Sequence, residues 1–228
     1  GLHSFSGGKT SDGKWLFVGG RVDGLHRRQP WAAFLASDNN TNIYVVDPIG
    51  KQVWSAELSA LPTSIDEQLQ STNQQFYQRG NTLYVIGGYG YSASSSDHIT
   101  FDNLIAINVD SVANAIVNGQ SITSYFRQIT HSKFAVTGGY LGYLDSTFYL
   151  CGGQFFEGRY NPMGPTHGPG FIQNYTDEIR RFKLVDDGVN ITVKDYNASK
   201  DAANLHKRDY NMSPQVFPNG KKGFTMFS

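Results

Sequence analysis

The sequence has one cysteine, no excess of either charge and no long apolar run. A single cysteine, Cys151, excludes an intrachain disulfide and a cysteine-based zinc cluster within this chain. The 19 Lys and Arg residues balance the 19 Asp and Glu residues, so the overall charge does not favour nucleic acid or an anionic membrane as a partner. No apolar segment approaches the roughly 20 residues of a transmembrane helix, and we expect no transmembrane segment.

Catalytic and cofactor-binding motifs are also missing. The sequence contains no G-x-S-x-G, H-E-x-x-H, P-loop or Rossmann signature. We therefore predict no metal and no cofactor. Cys151 lies in an apolar segment, where a free cysteine behaves as a small hydrophobic residue; the alternative is a reactive thiol.

Long stretches rich in Ala, Leu, Glu and Lys are scarce, whereas aromatic residues make up 14% of the chain and glycine occurs 25 times. Aromatic residues favour strands, and glycine favours turns. This balance predicts an all-β fold.

A short apolar segment that ends in two glycines occurs three times. The copies are Trp15–Gly20, Thr82–Gly88 and Phe148–Gly153. The glycine pairs lie 68 residues apart (19 to 87) and 65 residues apart (87 to 152). A steady period of this length is typical of an array of small sheets.

Each period contains four strand-like segments separated by turn residues. We expect four-stranded antiparallel units at about 1–61, 73–130 and 134–197, and a partial unit at about 205–228. In the first unit the predicted strands are Leu2–Ser6, Trp15–Val18, Asn42–Asp47 and Gln52–Leu58. A short helix is predicted at Ser111–Asn118.

The first unit also carries a more specific pattern. Asp47-Pro48 follows the third strand and Trp54 lies in the fourth, which resembles the "YDP…W" signature of kelch repeats. Together with the diglycines, this makes the chain similar to the kelch-type β-propellers of the galactose oxidase-like superfamily. Val46 stands where the family has Tyr, and the later units lack the Trp. The resemblance implies a single domain over 1–228 that supplies about three and a half blades of a larger ring. The rest of the ring would come from residues outside this sequence or from a second chain.

In such a propeller, the loops between the second and third strands lie on one face. Three long insertions are of this kind, at 21–41, 89–102 and 154–176. Long loops on a rigid scaffold often carry ligand contacts, so we expect this face to bind a glycan, a peptide or a protein partner. The alternative is that the loops only cover sheet edges. The aromatic and basic candidates in the last two insertions are Tyr89, Tyr91, Phe156 and Arg159.

The basic cluster His26, Arg27 and Arg28 is a candidate for holding a carboxylate or an acidic glycan through bidentate contacts. The alternative is a solvated surface. His167, in a loop rich in Pro and Gly, is a candidate ligand contact or proton carrier, or an ordinary loop histidine.

Arg208 precedes the first strand of the partial unit, near the expected central mouth of the ring. It is a candidate ligand anchor, and the alternative is a local salt bridge with Asp209. His3 and His131 are further candidates to line the mouth.

We therefore expect a non-catalytic binding or scaffold protein. The richness in Asn, Tyr, Ser and Gly favours a bacterial cell-surface or secreted protein. The alternative is a carbohydrate-active enzyme, such as a sugar mutarotase or epimerase or an oxidase-like protein, with catalytic groups partly outside this sequence. Copper oxidase chemistry would need a cross-linked Tyr–Cys pair, and the position of Cys151 inside a strand argues against it. No catalytic residue is assigned.

Overall fold

The computed structural model describes residues 1–25 and 27–227 as an array of antiparallel sheets. The first repeat forms a four-stranded meander, called sheet 1. Its strands are β1 (Ser6–Lys9), β2 (Trp15–Val18), β3 (Asn42–Asp47) and β4 (Gln52–Glu57).

The second repeat has the same plan with a hairpin inserted after its second strand. Its strands are β5 (Gln75–Arg79), β6 (Thr82–Ile86), β7 (Tyr89–Ser92), β8 (Asp97–Thr100), β9 (Asn103–Asn108) and β10 (Phe126–Thr130). Strands β5, β6, β9 and β10 form sheet 2, and β7 pairs with β8 alone.

The third repeat follows the second closely. Its strands are β11 (Tyr140–Leu144), β12 (Thr147–Cys151), β13 (Gln154–Gly158), β14 (Phe171–Tyr175), β15 (Glu178–Asp186) and β16 (Ile191–Lys200). Strands β11, β12, β15 and β16 form sheet 3, and β13 pairs with β14 as a second inserted hairpin. A final hairpin contains β17 (Asn211–Val216) and β18 (Lys222–Phe227).

Helices lie in the connections between strands. They are α1 (Thr63–Leu69), α2 (Val109–Val117) and α3 (Ala202–Leu205), with short 3-10 helices at Ala36–Asp38, Leu58–Ala60, Thr123–Tyr125 and Ser132–Phe134. Helix α2 begins after Asn108 because the side chain of Asn108 accepts a hydrogen bond from the Ser111 N–H at 3.0 Å, which satisfies a donor that the helix itself cannot.

Sheet 2 is buried on both faces because its side chains alternate between two cores. Leu83, Val85, Ile105 and Ile107 pack with residues of sheet 1 and helix α2. Tyr84, Ile86, Leu104 and Ala106 pack with residues of sheet 3. A fully buried Val, Leu or Ile side chain contributes about 1.5–3 kcal/mol, so these two cores hold the three sheets together.

The second glycine of each pair joins its sheet to the following repeat. Gly20, Gly88 and Gly153 donate their backbone N–H groups to the carbonyls of Ser71, Val136 and Lys207 at 2.9, 2.9 and 3.0 Å. These glycines have positive φ angles. A Cβ on Gly87, the first glycine of the second pair, would lie 2.0 Å from the carbonyl oxygen of Val136 in the following repeat. The repeated diglycine therefore marks a point of close approach between consecutive repeats.

Several sequence predictions match the structure residue for residue. Strands Trp15–Val18 and Asn42–Asp47 have the predicted bounds. The helix predicted at Ser111–Asn118 is α2, which begins two residues earlier.

The predicted first strand Leu2–Ser6 is wrong. Ladder pairing covers Ser6–Lys9, and His3 makes only an isolated bridge with Arg21. Gly7 and Gly8 indicate a turn by sequence, but they lie within β1. A Cβ on Gly8 would stand 3.1 Å from the Oε1 atom of Gln78, so glycine serves there to let sheet 2 approach.

All three insertions were expected to be loops, but the two at 89–102 and 154–176 contain hairpins. Tyr89 pairs with Thr100, and Gln154 pairs with Tyr175. The hairpin strands are short and rich in Gly, Ser and other polar residues, so they lack the apolar alternation that predicts a strand. The insertion at 21–41 has no ladder strand among its described residues.

Candidate binding site

One residue near the start of each repeat has a left-handed backbone. The φ angles of Ser4, Asn73, Gly138 and Asp209 are 54°, 54°, 66° and 54°. The N–H of Asn73 donates to the carbonyl of Ser4, that of Gly138 to Asn73, and that of Asp209 to Gly138, at 3.3, 3.0 and 2.8 Å. Non-glycine residues adopt this conformation rarely. A chain of backbone hydrogen bonds thus brings the starts of all four repeats together.

A cavity of about 250 Å³ lies against this chain of hydrogen bonds. Paired positions supply part of its lining: one residue comes directly before the left-handed residue, and the other comes directly after the diglycine. These pairs form isolated β-bridges. They are His3 with Arg21, Thr72 with Tyr89, and Thr137 with Gln154. The final hairpin is preceded by Arg208 at the corresponding position, and Arg208 also lines the cavity.

The inserted segments form an aromatic wall on one side of the cavity. Tyr89 makes edge-to-face contacts with Phe34 and Phe156, with ring centroids 5.2 and 5.1 Å apart. Phe156 stacks on Phe171 at 4.8 Å. Tyr160 lines the same wall and contacts Phe34 at 6.1 Å. Such rings present apolar faces that can pack against a ligand.

Hydrogen bonds hold the insertions to one another. The Tyr89 hydroxyl donates to the carbonyl of Gly158 at 2.8 Å, and the Thr100 hydroxyl donates to the carbonyl of Phe156 at 2.7 Å. His98 Nε2 donates to the carbonyl of Phe34 at 2.9 Å. Burial raises the pKa of Tyr89, so its hydroxyl remains a neutral donor. These contacts fix the wall before any ligand arrives.

Arg21 is the most deeply buried charge at the cavity, with 1% exposure. Its guanidinium donates to both carboxylate oxygens of Asp23 at 3.0 Å and to Asn39 Oδ1 at 2.8 Å. Burial alone would raise the pKa of Asp23, but the hydrogen bonds from Arg21 outweigh it and hold that pKa below its ordinary value. Asp23 therefore stays ionised and neutralises Arg21.

The ionised Asp23 also faces His3. His3 Nε2 lies 3.4 Å from Asp23 Oδ1, and His3 Nδ1 lies 3.2 Å from the Ser4 hydroxyl. The imidazole of His3 is partly exposed to the cavity.

Arg208 forms the salt bridge with Asp209 that the sequence offered as an alternative, and it also lines the cavity. Its Nε lies 3.3 Å from an oxygen of Asp209, and its guanidinium donates to the Tyr175 hydroxyl and lies over that ring. Asn73 Nδ2 donates to the other oxygen of Asp209 at 2.7 Å. Arg208 and Asp209 line the cavity as an exposed, mutually oriented pair.

The structure brings together three of the predicted site residues, Tyr89, Phe156 and Arg208. The side chains that line the cavity do not include the other five predicted residues, which are Arg27, Arg28, Tyr91, Arg159 and His167. His26 lies outside the described residues.

The reasons differ among the residues outside the cavity. Arg27, Arg28 and His167 are exposed. The Tyr91 ring contacts His98, with ring centroids 5.4 Å apart. Of the two further histidines, His3 lines the cavity, whereas His131 stacks on Tyr196 at 5.8 Å.

Sequence reasoning missed several lining residues, including Arg21, Thr72, Asn73, Thr137 and Gln154. A signal for some of them was present. The residue directly after each diglycine lines the cavity, as Arg21, Tyr89 and Gln154 show.

Cys151 is buried, and burial raises the pKa of its thiol to about 12. A thiol in this state is a structural hydrophobic group. Within residues 1–25 and 27–227, no group of three or more His, Cys, Asp or Glu side chains is placed to hold a metal ion. In the same part of the chain, no helix has the length and apolar character to cross a membrane.

Comparison with known proteins identifies the fold alone. No protein-family model matches the chain, and no curated protein matches it by sequence. Among solved structures, the one titled "Structure of YjhT" aligns with a TM-score of 0.52 at 11% sequence identity. The alignment covers 99% of this chain and 68% of that chain.

Proposed function

We propose that the three sheets and the final hairpin are blades of a kelch-type β-propeller, and that the cavity at their convergence binds a small polar ligand of the carbohydrate class. The observation that carries this proposal is the repeated pair of positions. At these positions every repeat places one or two residues at the same cavity, on backbone that is fixed by hydrogen bonds between repeats. A concave site with convergent polar groups on a rigid frame is typical of ligand binding.

The chemistry of the lining favours a sugar. One side carries the faces and edges of Tyr89, Phe156 and Phe171, and the other carries amide, hydroxyl and charged groups such as Asn73, Thr137 and Arg208. Sugars present apolar C–H faces together with many hydroxyl groups, and such a divided lining can satisfy both. The volume of about 250 Å³ lies just below the range of about 300–1,000 Å³ that is typical of small-molecule sites, which favours a ligand of one or two rings. The alternative to a sugar is a peptide or protein partner that binds the same face.

The experiment is a binding screen with neutral, N-acetylated and acidic monosaccharides and disaccharides, read by saturation-transfer NMR. Arg208→Ala removes a charged donor, and Asn73→Gly removes a side chain while keeping a residue suited to the left-handed backbone. A hydrogen bond to a charged group contributes about 1.5–3 kcal/mol, so we expect Arg208→Ala to weaken binding at least about tenfold.

Arg28→Ala is the matched control, because Arg28 is exposed and does not line the cavity. It should bind as the unmodified protein does. Failure of every sugar to bind, or equal binding by Arg208→Ala and the unmodified protein, would contradict the proposal. Binding of peptides alone would replace the sugar with a protein partner.

A second candidate function is sugar chemistry at the same cavity, and the contact between His3 and Asp23 is the observation that favours it. A histidine oriented by a carboxylate is a common general acid or base. The test is NMR measurement of anomer exchange on the sugars that bind. Loss of exchange in His3→Asn with unchanged ligand affinity would favour an enzyme, whereas the absence of any acceleration by the unmodified protein would leave binding alone.

A further inference from the structure

A second cavity lies at the opposite ends of the strands, between sheet 2 and sheet 3. It has a volume of about 520 Å³. Strands β5, β9 and β15 end beside it, and β6 and β10 begin there. The cavity is therefore separated from the first one by the length of the sheets.

The carboxylate that lines this cavity is already engaged. Both terminal nitrogens of Arg127 donate to the two oxygens of Asp186, one of them at 3.0 Å. The Tyr84 hydroxyl donates to Asp186 Oδ2 at 2.8 Å. The Asp186 side chain is 5% exposed. Its negative charge is neutralised by the ion pair with Arg127.

Arg79 brings a second positive charge to the same cavity. Its guanidinium lies over the rings of Tyr84, Tyr143 and Phe148, at 5.2, 5.6 and 5.4 Å from their centroids. Its Nη2 donates to the Tyr84 hydroxyl at 2.9 Å, and its Nη1 donates to the carbonyl of Leu184 at 3.4 Å. In the part of the chain that the structure describes, no carboxylate forms an ion pair with Arg79.

The lining charges of this cavity therefore comprise two arginines and one aspartate. The remaining lining is rich in hydrogen-bonding groups, namely Thr82, Asn108, Ser111, Ser124 and Tyr125. A guanidinium that is partly removed from water is stabilised by an anion that accepts from several of its N–H groups. The Arg79 guanidinium has five N–H donors. The Tyr84 hydroxyl and the Leu184 carbonyl accept from two of its nitrogens, which leaves further N–H groups that can donate to an anion.

We propose that this cavity binds a small oxyanion, a carboxylate or phosphate group, with Arg79 as its main charged contact. Arg127 and the hydroxyl groups complete the site. The aromatic rings beneath Arg79 and the Arg127–Asp186 pair hold the arginines in place, so the anion meets an ordered site. This site is independent of the sugar-binding proposal, because it shares no lining residue with the first cavity.

The test is a titration with sodium phosphate, and separately with sodium acetate, against sodium chloride at equal ionic strength. Thermal unfolding and phosphorus NMR report binding. We expect saturable stabilisation of the unmodified protein by one of the two oxyanions, and the difference between them distinguishes a tetrahedral from a planar ligand group. Arg79→Gln should weaken binding about ten- to a hundredfold.

Arg181→Gln is the matched control, since Arg181 is an exposed arginine on β15 that contacts Asn197 and Ser199. It should bind as the unmodified protein does. Arg79→Lys keeps the charge but loses the planar guanidinium, so it should bind the oxyanion several-fold more weakly. If Arg79→Gln does not fold, Arg79→Lys tests whether Arg79 contacts the anion. Absence of a saturable effect, equal loss in Arg181→Gln, or unchanged binding by both Arg79 variants would overturn the proposal.

Discussion

Substitution of Gly87 by alanine should separate the contact between repeats from the conformational demand of glycine. Gly87 has a φ angle of +63°, and a Cβ at this position would lie 2.0 Å from the carbonyl oxygen of Val136. The left-handed conformation costs a non-glycine residue about 1–2 kcal/mol. The clash adds about 1–3 kcal/mol, as overpacking does in a core.

The added methyl group would also push Val136 away from Gly88, whose N–H donates to that carbonyl at 2.9 Å. Loss of this hydrogen bond costs about 1 kcal/mol. Together these effects predict a loss of roughly 3–6 kcal/mol in the free energy of unfolding. For a chain of this size, each kcal/mol lowers the melting temperature by about 2–4 °C.

Gly80→Ala is the matched control. Gly80 has a similar φ angle of +58°, but its Cβ would meet nothing within 4 Å. The free energy of unfolding of this control should therefore decrease by only the conformational cost of about 1–2 kcal/mol. Urea unfolding of the two variants measures the difference. Equal midpoints for Gly87→Ala and Gly80→Ala would refute the close approach of consecutive repeats at the diglycine.

Two further predictions concern buried titratable groups. Because burial raises the pKa of the Cys151 thiol to about 12, a thiol reagent at pH 8 should not label the folded protein, and should label it fully in denaturant; rapid labelling without denaturant would contradict the burial of Cys151. His98 is 3% exposed, and burial lowers its pKa below the ordinary 6.5. The unfolded chain therefore takes up a proton that the folded protein does not, and the free energy of unfolding should decrease as the pH falls below about 6.5. Urea unfolding from pH 7.5 to pH 5.5 measures this dependence, which should be weaker in His98→Gln; an equal dependence in that variant would assign the effect to other groups.

The sheets could be predicted from the sequence because their strands combine apolar character with clear turn residues. Asn103–Asn108 and Thr147–Cys151 are strongly apolar and are bounded by polar or glycine residues. Helix α1 was missed because it has only seven residues and no side-chain cap at its start. Pro62 directly before it was a signal, since proline is common at the start of a helix.

The candidate site was less predictable because its geometry arises between repeats. The sequence drew on its long insertions to predict a binding face, and three of its candidates, Tyr89, Phe156 and Arg208, line the cavity. It did not reveal that Ser4, Asn73 and Asp209 share a left-handed conformation, since serine and aspartate are also common in ordinary turns. Exposed basic residues such as Arg28 were predicted as ligand contacts because of their charge alone. The pairing of the backbone, which the sequence does not show, determines which side chains reach the cavity.

The bridge between the residue before each left-handed position and the residue after each diglycine has a consequence for how such a protein can change. The backbone geometry is shared, but the combination of side chains differs from pair to pair: His3 with Arg21, Thr72 with Tyr89, and Thr137 with Gln154. Each pair belongs to a different repeat and lines its own part of the cavity. Selection, or a designer, can therefore change the side chains of the lining one repeat at a time while the backbone geometry stays constant.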